Sequence, residues 1–286
     1  MRNTTPSRLA RLYLAAAVCA FATPAAAACG EVVTLAAHGT SKLPYSLALP
    51  AASAPGKGIA LVLLPGGGGH VDLDAQGCAR NLKGNSLVRS RDLFHGHGFA
   101  TALVDAPSDH RGGDGLGGFR LSAQHAAGLG KVIADVRRRT SLPVWLVGTS
   151  RGTISAVNAA VRLAGGEAPD GLVLTSPVTS GRAGGQKAWV VQTVFGVRLE
   201  DIKMPVLVVA HAADACIRTP PGLAPGILAR TGAAREQSVR VTGGPRGSAR
   251  REASVDACGG SSPHGFIGQE ADVAAGIARF VRGGTY

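Results

Sequence analysis

Aromatic residues are scarce in this chain of 286 residues, where Phe, Tyr and Trp together make up 4%. Proteins stack unpaired bases on aromatic side chains, so the scarcity argues against a nucleic-acid-binding surface, and no nucleic-acid-binding motif is present. Neither C-x-x-C nor H-x-x-x-H spacing occurs, which argues against a zinc site. Charged residues make up 17% and hydrophobic residues 45%, a balance that favours a globular protein over a disordered one.

Long apolar runs are missing as well. The apolar run at residues 12–21 is short and Ala-rich, unlike a membrane span. It follows three basic residues, Arg2, Arg8 and Arg11. With the small residues at 24–28, this pattern predicts a secretory signal peptide cleaved near Ala27 or Ala28, with an uncleaved anchor as the alternative. Lipid attachment at Cys29 is disfavoured because the usual Leu three positions earlier is absent.

We therefore expect residues 1–28 to be a signal peptide, and residues 29–286 to form one domain that is exported, either periplasmic or secreted. Removing residues 1–28 takes away three arginines and no acid, which lowers the formal charge from +12 to +9. Such a surface favours anionic partners in general, or simply keeps an exported protein soluble. The four remaining cysteines are Cys29, Cys78, Cys216 and Cys258. An even number in an exported chain predicts two disulfides.

Apolar segments of strand length alternate with segments of helical periodicity. The expected strands are residues 31–35, 43–49, 59–64, 99–104, 143–147, 171–174, 205–210 and 238–242. Residues Leu129, Val132, Ile133 and Val136 recur at helical spacing, as do Val273, Ile277, Phe280 and Val281. The alternation predicts an α/β fold with a mostly parallel central sheet and helices on both faces.

The strongest motif lies where the strand at 143–147 ends. It is followed by Gly148-Thr149-Ser150-Arg151-Gly152, a G-x-S-x-G sequence, and then by apolar residues at helical spacing. A strand, a sharp turn with serine at its tip and a helix form a nucleophile elbow. Glycines suit the two flanks because a Cβ there would meet the neighbouring strand or helix.

This arrangement, with an Asp and a His downstream in that order, resembles the α/β-hydrolases. The resemblance implies their fold across residues 29–286. It also implies a serine hydrolase that cleaves a carboxylic ester, or a related amide or thioester, of a small-molecule acyl substrate through an acyl-enzyme. No cofactor or metal is implied. About 30 residues separate the strands ending near Leu174 and starting near Met204, so we expect an open cleft with little or no cap domain.

By this resemblance Ser150 is the nucleophile, Asp214 the acid and His264 the base. Asp214 lies at the distance beyond Pro205 that the family's Pro-x-x-Val-x-His-Gly-x-x-Asp pattern gives, and His264 lies in a loop before the last expected helix. Asp256 is the competing acid because it is near His264 in sequence, although it does not follow a strand.

The glycine-rich segment Pro65-Gly66-Gly67-Gly68-Gly69-His70 follows the strand at 59–64. It resembles the oxyanion loop of lipases and esterases, except that Pro65 stands where many members have His. The backbone N–H of Gly67 is the expected donor from this loop, and that of Arg151 is the second. The alternative interpretation is a flexible linker.

We favour a Cys216–Cys258 disulfide, because the acid and base loops must meet in space, which leaves Cys29–Cys78. Two other functions remain open. One is a non-catalytic exported binding domain on the same scaffold, and the other is a serine peptidase.

Overall fold

The computed structural model describes Met1 and residues 29–51, 58–182, 187–245 and 252–286. Apart from Met1, the predicted signal peptide therefore lies outside the described residues. Within the described part of the chain, no helix has the length and apolar character needed to cross a membrane.

The domain is built on an eight-stranded sheet. Its strands are β1 (Glu31–Ala36), β2 (Lys42–Ala48), β3 (Ile59–Leu64), β4 (Phe99–Val104), β5 (Val144–Thr149), β6 (Gly171–Thr175), β7 (Val206–His211) and β8 (Glu236–Val241). Their order in the sheet is β1-β2-β4-β3-β5-β6-β7-β8. β1 and β2 pair antiparallel, as do β2 and β4, and every later pair is parallel.

Helices cover both faces of this sheet. They are α1 (Ser86–Arg89), α2 (Arg91–Gly96), α3 (Ala123–Thr140), α4 (Gly152–Arg162), α5 (Pro225–Leu228) and α6 (Glu270–Val281). Side chains of a strand alternate between the two faces, and all six residues of β3 are buried. Ala60, Val62 and Leu64 face the core under α3 and α4, while Ile59, Leu61 and Leu63 face the core under α2 and α6. This double burial explains why β3 reads as a continuous apolar run.

The predicted strands and long helices are present, with small shifts at their ends. β8 starts at Glu236, two residues before its predicted start. It lies at the edge of the sheet, where its exposed residues alternate with half-buried ones, so its first residues carry no apolar pattern that could be recognised. Ser122 caps α3, since its Oγ accepts from the His125 N–H at 3.0 Å. The short helices α1 and α2 carry no long apolar period.

No large cap covers the sheet in the part of the chain that the structure describes. Between β6 and β7 the described residues form three single-turn helices, Ala188–Val191, Val194–Gly196 and Leu199–Asp201. The carboxyl ends of the parallel strands, where Ser150 and the loop after β3 lie, are therefore bordered by short loops rather than by a second layer of helices.

Candidate active site

Ser150 lies at the tip of a strained turn between β5 and α4. Its φ of 50° lies in the left-handed region, which residues other than glycine rarely adopt. A Cβ on Gly152 would lie 1.9 Å from the Leu64 carbonyl oxygen, and one on Gly148 would lie 2.7 Å from the Gly152 oxygen. The glycines are therefore required by the close approach of β3, β5 and α4, as the motif predicted.

Hydrogen bonds hold the backbone of Ser150 in this conformation. Its N–H donates to the Thr175 carbonyl at 3.0 Å, which ties the turn to the end of β6. Its carbonyl accepts from the N–H of Thr153 at 3.0 Å and from the hydroxyl of Thr153 at 2.6 Å. The turn is thus fixed by two neighbouring elements, which is how a strained conformation persists at a functional site.

Asp214 and His264 come together although 50 residues separate them in the sequence. Nδ1 of His264 lies 3.0 Å from Oδ2 of Asp214, and both side chains are almost fully buried. The other carboxylate oxygen, Oδ1, accepts from the Cys216 N–H at 2.8 Å. A buried carboxylate that faces one ring nitrogen of a histidine orients the ring and favours the tautomer with its proton on that nitrogen.

Thr219 completes this cluster and was not found from the sequence. Its hydroxyl donates to Oδ2 of Asp214 at 2.8 Å and lies 3.0 Å from Nδ1 of His264. The hydroxyl oxygen can therefore accept from the same Nδ1–H that points at the carboxylate. Thr219 follows Asp214 by five residues on one loop, a spacing that matches no motif, so no sequence signal could have identified it.

The backbone of His264 is anchored on both sides. His264 lies in the helical turn Pro263–Gly265, and its N–H donates to Oγ of Ser262 at 3.2 Å. Its carbonyl accepts from the Ser176 hydroxyl at 2.7 Å. Ser176 follows β6, next to the strand that carries Ser150, so the loop that contains His264 is attached to the same edge of the sheet as Ser150.

Two other acids near the site in the sequence or the fold do not contact His264. Asp256 is exposed in the turn Asp256–Cys258 and has no hydrogen bond to His264. Asp105 is buried after β4, where its carboxylate accepts from the N–H groups of Val71 and Ala106, each at 2.8 Å. Asp105 therefore organises the segment after the glycine-rich loop rather than the base.

One cleft brings Ser150 and His264 to a common surface. It has a volume of about 260 Å³. It is lined by Gly67, Leu82, Gly84, Asn85, Ser86, Thr149, Ser150, Cys258, Gly260, His264 and Gly265. The lining combines Ser150, His264 and Gly67, which lie on three segments that the sequence analysis assigned to one site.

The glycine-rich loop lies directly against Ser150. A Cβ on Gly66 would lie 2.8 Å from the Cβ of Ser150. Gly67 has a φ of +57°, so a side chain there would be strained. The carbonyls of Pro65 and Gly67 both accept from Nη2 of Arg120 at 3.3 Å, which fixes the peptide planes beside Ser150.

Arg120 is fully buried without a carboxylate partner among the described residues. Burial lowers the pKa of this guanidinium to about 9, so it keeps its charge at neutral pH. Its Nη1 donates to Oγ of Ser155 at 2.7 Å, and this hydroxyl lies 2.8 Å from Nε2 of His125. Burial lowers the pKa of His125 to about 3, so the neutral ring can accept from Ser155. The hydrogen-bonded side chains of His125, Ser155 and Arg120 thus stabilise the conformation of the glycine-rich loop.

Arg151 occupies the position expected for the second oxyanion donor. It is the first residue of the turn into α4, directly after Ser150. A backbone N–H at the start of a helix has no acceptor within the helix and is free to bind an anion.

The structure contains the disulfides Cys29–Cys78 and Cys216–Cys258, the pairs favoured from the sequence. Cys216 is two residues after Asp214, and it also forms a parallel bridge with Ser254. The second disulfide therefore joins the loop that contains Asp214 to the segment that leads to His264.

Two groups of described residues bring three potential metal ligands within 4.8 Å of one another. One consists of Asp214, Cys216 and His264, but the sulfur of Cys216 is already bonded in a disulfide. The other consists of His38, Asp109 and His110 at the far end of the sheet, and there His38 Nε2 lies 2.7 Å from Oδ2 of Asp109.

Solved structures of known hydrolases resemble this chain in fold. An α/β serine hydrolase homologue from Coxiella burnetii has 15% identity and a TM-score of 0.56, with 88% of this chain and 97% of that one covered. Est1E from Butyrivibrio proteoclasticus, bound to ferulic acid, has 17% identity and a TM-score of 0.54 over 87% and 97%. Dienelactone hydrolase from Anabaena variabilis has 13% identity and a TM-score of 0.53 over 90% and 98%.

No protein-family model and no curated protein sequence matches the chain. The eight-stranded, mostly parallel sheet and the likeness to these structures show that the chain has the α/β-hydrolase fold, as the sequence predicted.

Proposed function

We propose that this protein is an exported serine hydrolase that cleaves a carboxylic ester of a small-molecule acyl substrate, with Ser150, Asp214 and His264 as its catalytic triad. The observation that carries the proposal is the buried Asp214–His264 pair, at 3.0 Å, on the same cleft as a serine held at a φ of 50°. A fold alone does not define an activity, whereas these three groups have the roles that acyl transfer needs.

In the proposed reaction, Nε2 of His264 removes the proton from the Ser150 hydroxyl as its oxygen attacks the ester carbonyl. The tetrahedral intermediate collapses, the C–O bond of the ester breaks, and His264 gives its proton to the leaving alcohol. Water then repeats the sequence on the acyl-enzyme, which releases the carboxylic acid and restores Ser150. Asp214 holds the imidazole in the required tautomer and stabilises it while it is protonated.

The negative charge on the carbonyl oxygen needs donors that are already in place. In the proposal these are the backbone N–H groups of Gly67 and Arg151, on the two segments that flank Ser150. Arg120 keeps the glycine-rich loop in shape by binding its carbonyls, so that little rearrangement is needed when the oxyanion forms.

The direct test is covalent labelling with a fluorophosphonate probe, followed by turnover of 4-nitrophenyl esters of increasing acyl length. Labelling that maps to the peptide with Ser150, together with ester turnover, would support the proposal. A folded protein that neither reacts with the probe nor turns over any ester would be a binding domain on this scaffold instead.

Thr219→Val is expected to lower kcat roughly ten-fold, because a hydrogen bond to a charged group is lost while the shape is kept. Thr219→Ser restores the hydroxyl and should return kcat toward the wild-type value. The measurements are kcat, KM and Tm for both variants. If Thr219→Val lowers Tm but leaves kcat unchanged, Thr219 is structural only and does not position the pair.

Removing the disulfide near the site is expected to affect both stability and activity. Cys216→Ser and Cys258→Ser should each lower Tm and kcat/KM by similar amounts. The bridge spans 42 residues, for which chain entropy contributes about 4 kcal/mol to the free energy of unfolding. The loss of activity follows because displacement of the acid loop disturbs the Asp214–His264 hydrogen bond.

Cys78→Ser is the matched control for this experiment, because it opens a bridge of similar span, 49 residues, at the start of β1. It should lower Tm with a smaller loss of kcat/KM. Non-reducing peptide mapping of the wild-type protein checks the pairing itself. Equal losses of activity in Cys216→Ser and Cys78→Ser would show that only general stability is involved.

A further inference from the structure

Arg151 directly follows Ser150 in the chain, and its side chain forms no ion pair with a described residue. Its guanidinium carbon lies 4.6 Å from the centre of the Trp189 ring, so the cation stacks on an aromatic face. Its Nη1 is closed off from solvent and has no acceptor among the described residues. A buried donor without an acceptor destabilises the folded protein, which makes this placement costly unless a ligand compensates for it.

A second arginine, Arg218, binds the same segment as Arg151: Arg151 stacks on Trp189, and Arg218 donates to the carbonyl of Gln192, three residues further along the chain. Arg218 directly precedes Thr219 on the acid loop. Its Nε donates to the Ser180 carbonyl at 2.7 Å, and its Nη2 donates to the Gln192 carbonyl at 2.8 Å. These bonds fix its orientation, and its third nitrogen, Nη1, has no protein acceptor in the described part of the chain.

The charges around this pair are not balanced. Neither arginine forms an ion pair with a described residue, and the carboxylate of Asp114, whose charge acts on Arg151, is paired with Lys187. Burial, and next the charge of Arg218, lowers the pKa of Arg151, while burial alone lowers that of Arg218. Two like charges held on one segment repel each other, and a bound anion would reduce that repulsion.

We propose that Arg151 and Arg218 form a subsite for a carboxylate of the substrate, so that the enzyme prefers esters that carry a negative charge beside the scissile bond. This inference rests on the proposed function. The planar guanidinium matches a carboxylate in two-point hydrogen bonding, which a neutral ester cannot offer. Arg151 directly follows Ser150, and Arg218 lies in the loop between Asp214 and Thr219, so a bound carboxylate would also hold the ester near Ser150.

The experiment compares two pairs of esters, each with a charged and a neutral member. Mono-4-nitrophenyl adipate and its methyl ester place the charge on the acyl side. 4-Acetoxybenzoate and its methyl ester place it on the leaving-group side. In at least one pair, kcat/KM is expected to be about ten-fold higher for the charged member, and the pair that shows this identifies the side. Added salt should reduce the preference.

Variants then connect the preference to the two arginines. Arg151→Met and Arg218→Met should each bring the charged-to-neutral ratio close to one, while Arg151→Lys should keep part of it. Arg198→Met removes the same charge from a side chain that is 80% exposed, and it should keep the wild-type ratio. If a methionine variant does not fold, the wild-type ratio and Arg151→Lys still decide the question.

Three negative results would each overturn a different part of the proposal. Turnover of the neutral esters with no preference for either charged one overturns the carboxylate subsite and leaves the proposed function standing. A preference that survives both methionine variants overturns the assignment to these arginines. No probe labelling and no turnover of any ester overturns the proposed function together with the subsite.

Discussion

Ser150→Ala is expected to abolish fluorophosphonate labelling and to lower ester turnover by about 10⁶-fold, because triad members act as a unit. Its Tm should stay near that of the wild type, since the backbone of residue 150 is fixed by hydrogen bonds to Thr175 and Thr153 that alanine retains. The measurements are probe labelling, kcat/KM on a 4-nitrophenyl ester and Tm on the same preparation.

Ser261→Ala is the control, because Ser261 is an exposed serine three residues before His264 and lines no part of the cleft. It should label and turn over substrate like the wild type. If Ser150→Ala keeps ester turnover near the wild-type rate, Ser150 is not the nucleophile and the proposed reaction is wrong.

The fold could be predicted because its signals are local. β3 and β5 are buried on both faces and read as continuous apolar runs, and the two glycines beside Ser150 record a close approach of backbones. Predicted ends were off by one or two residues in the exposed strand β8 and also in the buried strands β5 and β7, because backbone hydrogen bonds set the ends and the side-chain pattern records them only in part.

The site could be predicted only in part. Ser150, Asp214 and His264 follow strand and loop patterns, whereas Thr219 and Arg120 reach the site through tertiary contacts that no spacing encodes. The backbone N–H of Arg151 was expected to be an oxyanion donor. The absence of an acceptor for its Nη1 became visible only when the loop with Trp189 was placed beside it.

Asp214→Asn is expected to lower kcat roughly 10⁴-fold. Asparagine keeps the size of the side chain and can still accept from the Cys216 N–H. Its amide carries no charge to stabilise protonated His264, and when the NH₂ group faces Nδ1 the ring is held in the tautomer whose Nε2 carries the proton. That Nε2 cannot accept the proton of Ser150, so the loss falls on kcat more than on KM. The measurements are kcat, KM and Tm.

Asp256→Asn distinguishes this role from a general effect of removing an acid near the base. Asp256 is exposed and lies eight residues before His264, yet it makes no hydrogen bond to that ring, so its variant should keep kcat within about two-fold of the wild type. The reverse ranking, with Asp256→Asn severe and Asp214→Asn mild, would assign the acid to Asp256. The 3.0 Å contact between Asp214 and His264 would then be a structural bond without a catalytic role. The position of Asp214 just after β7 would then have been a wrong guide to the acid.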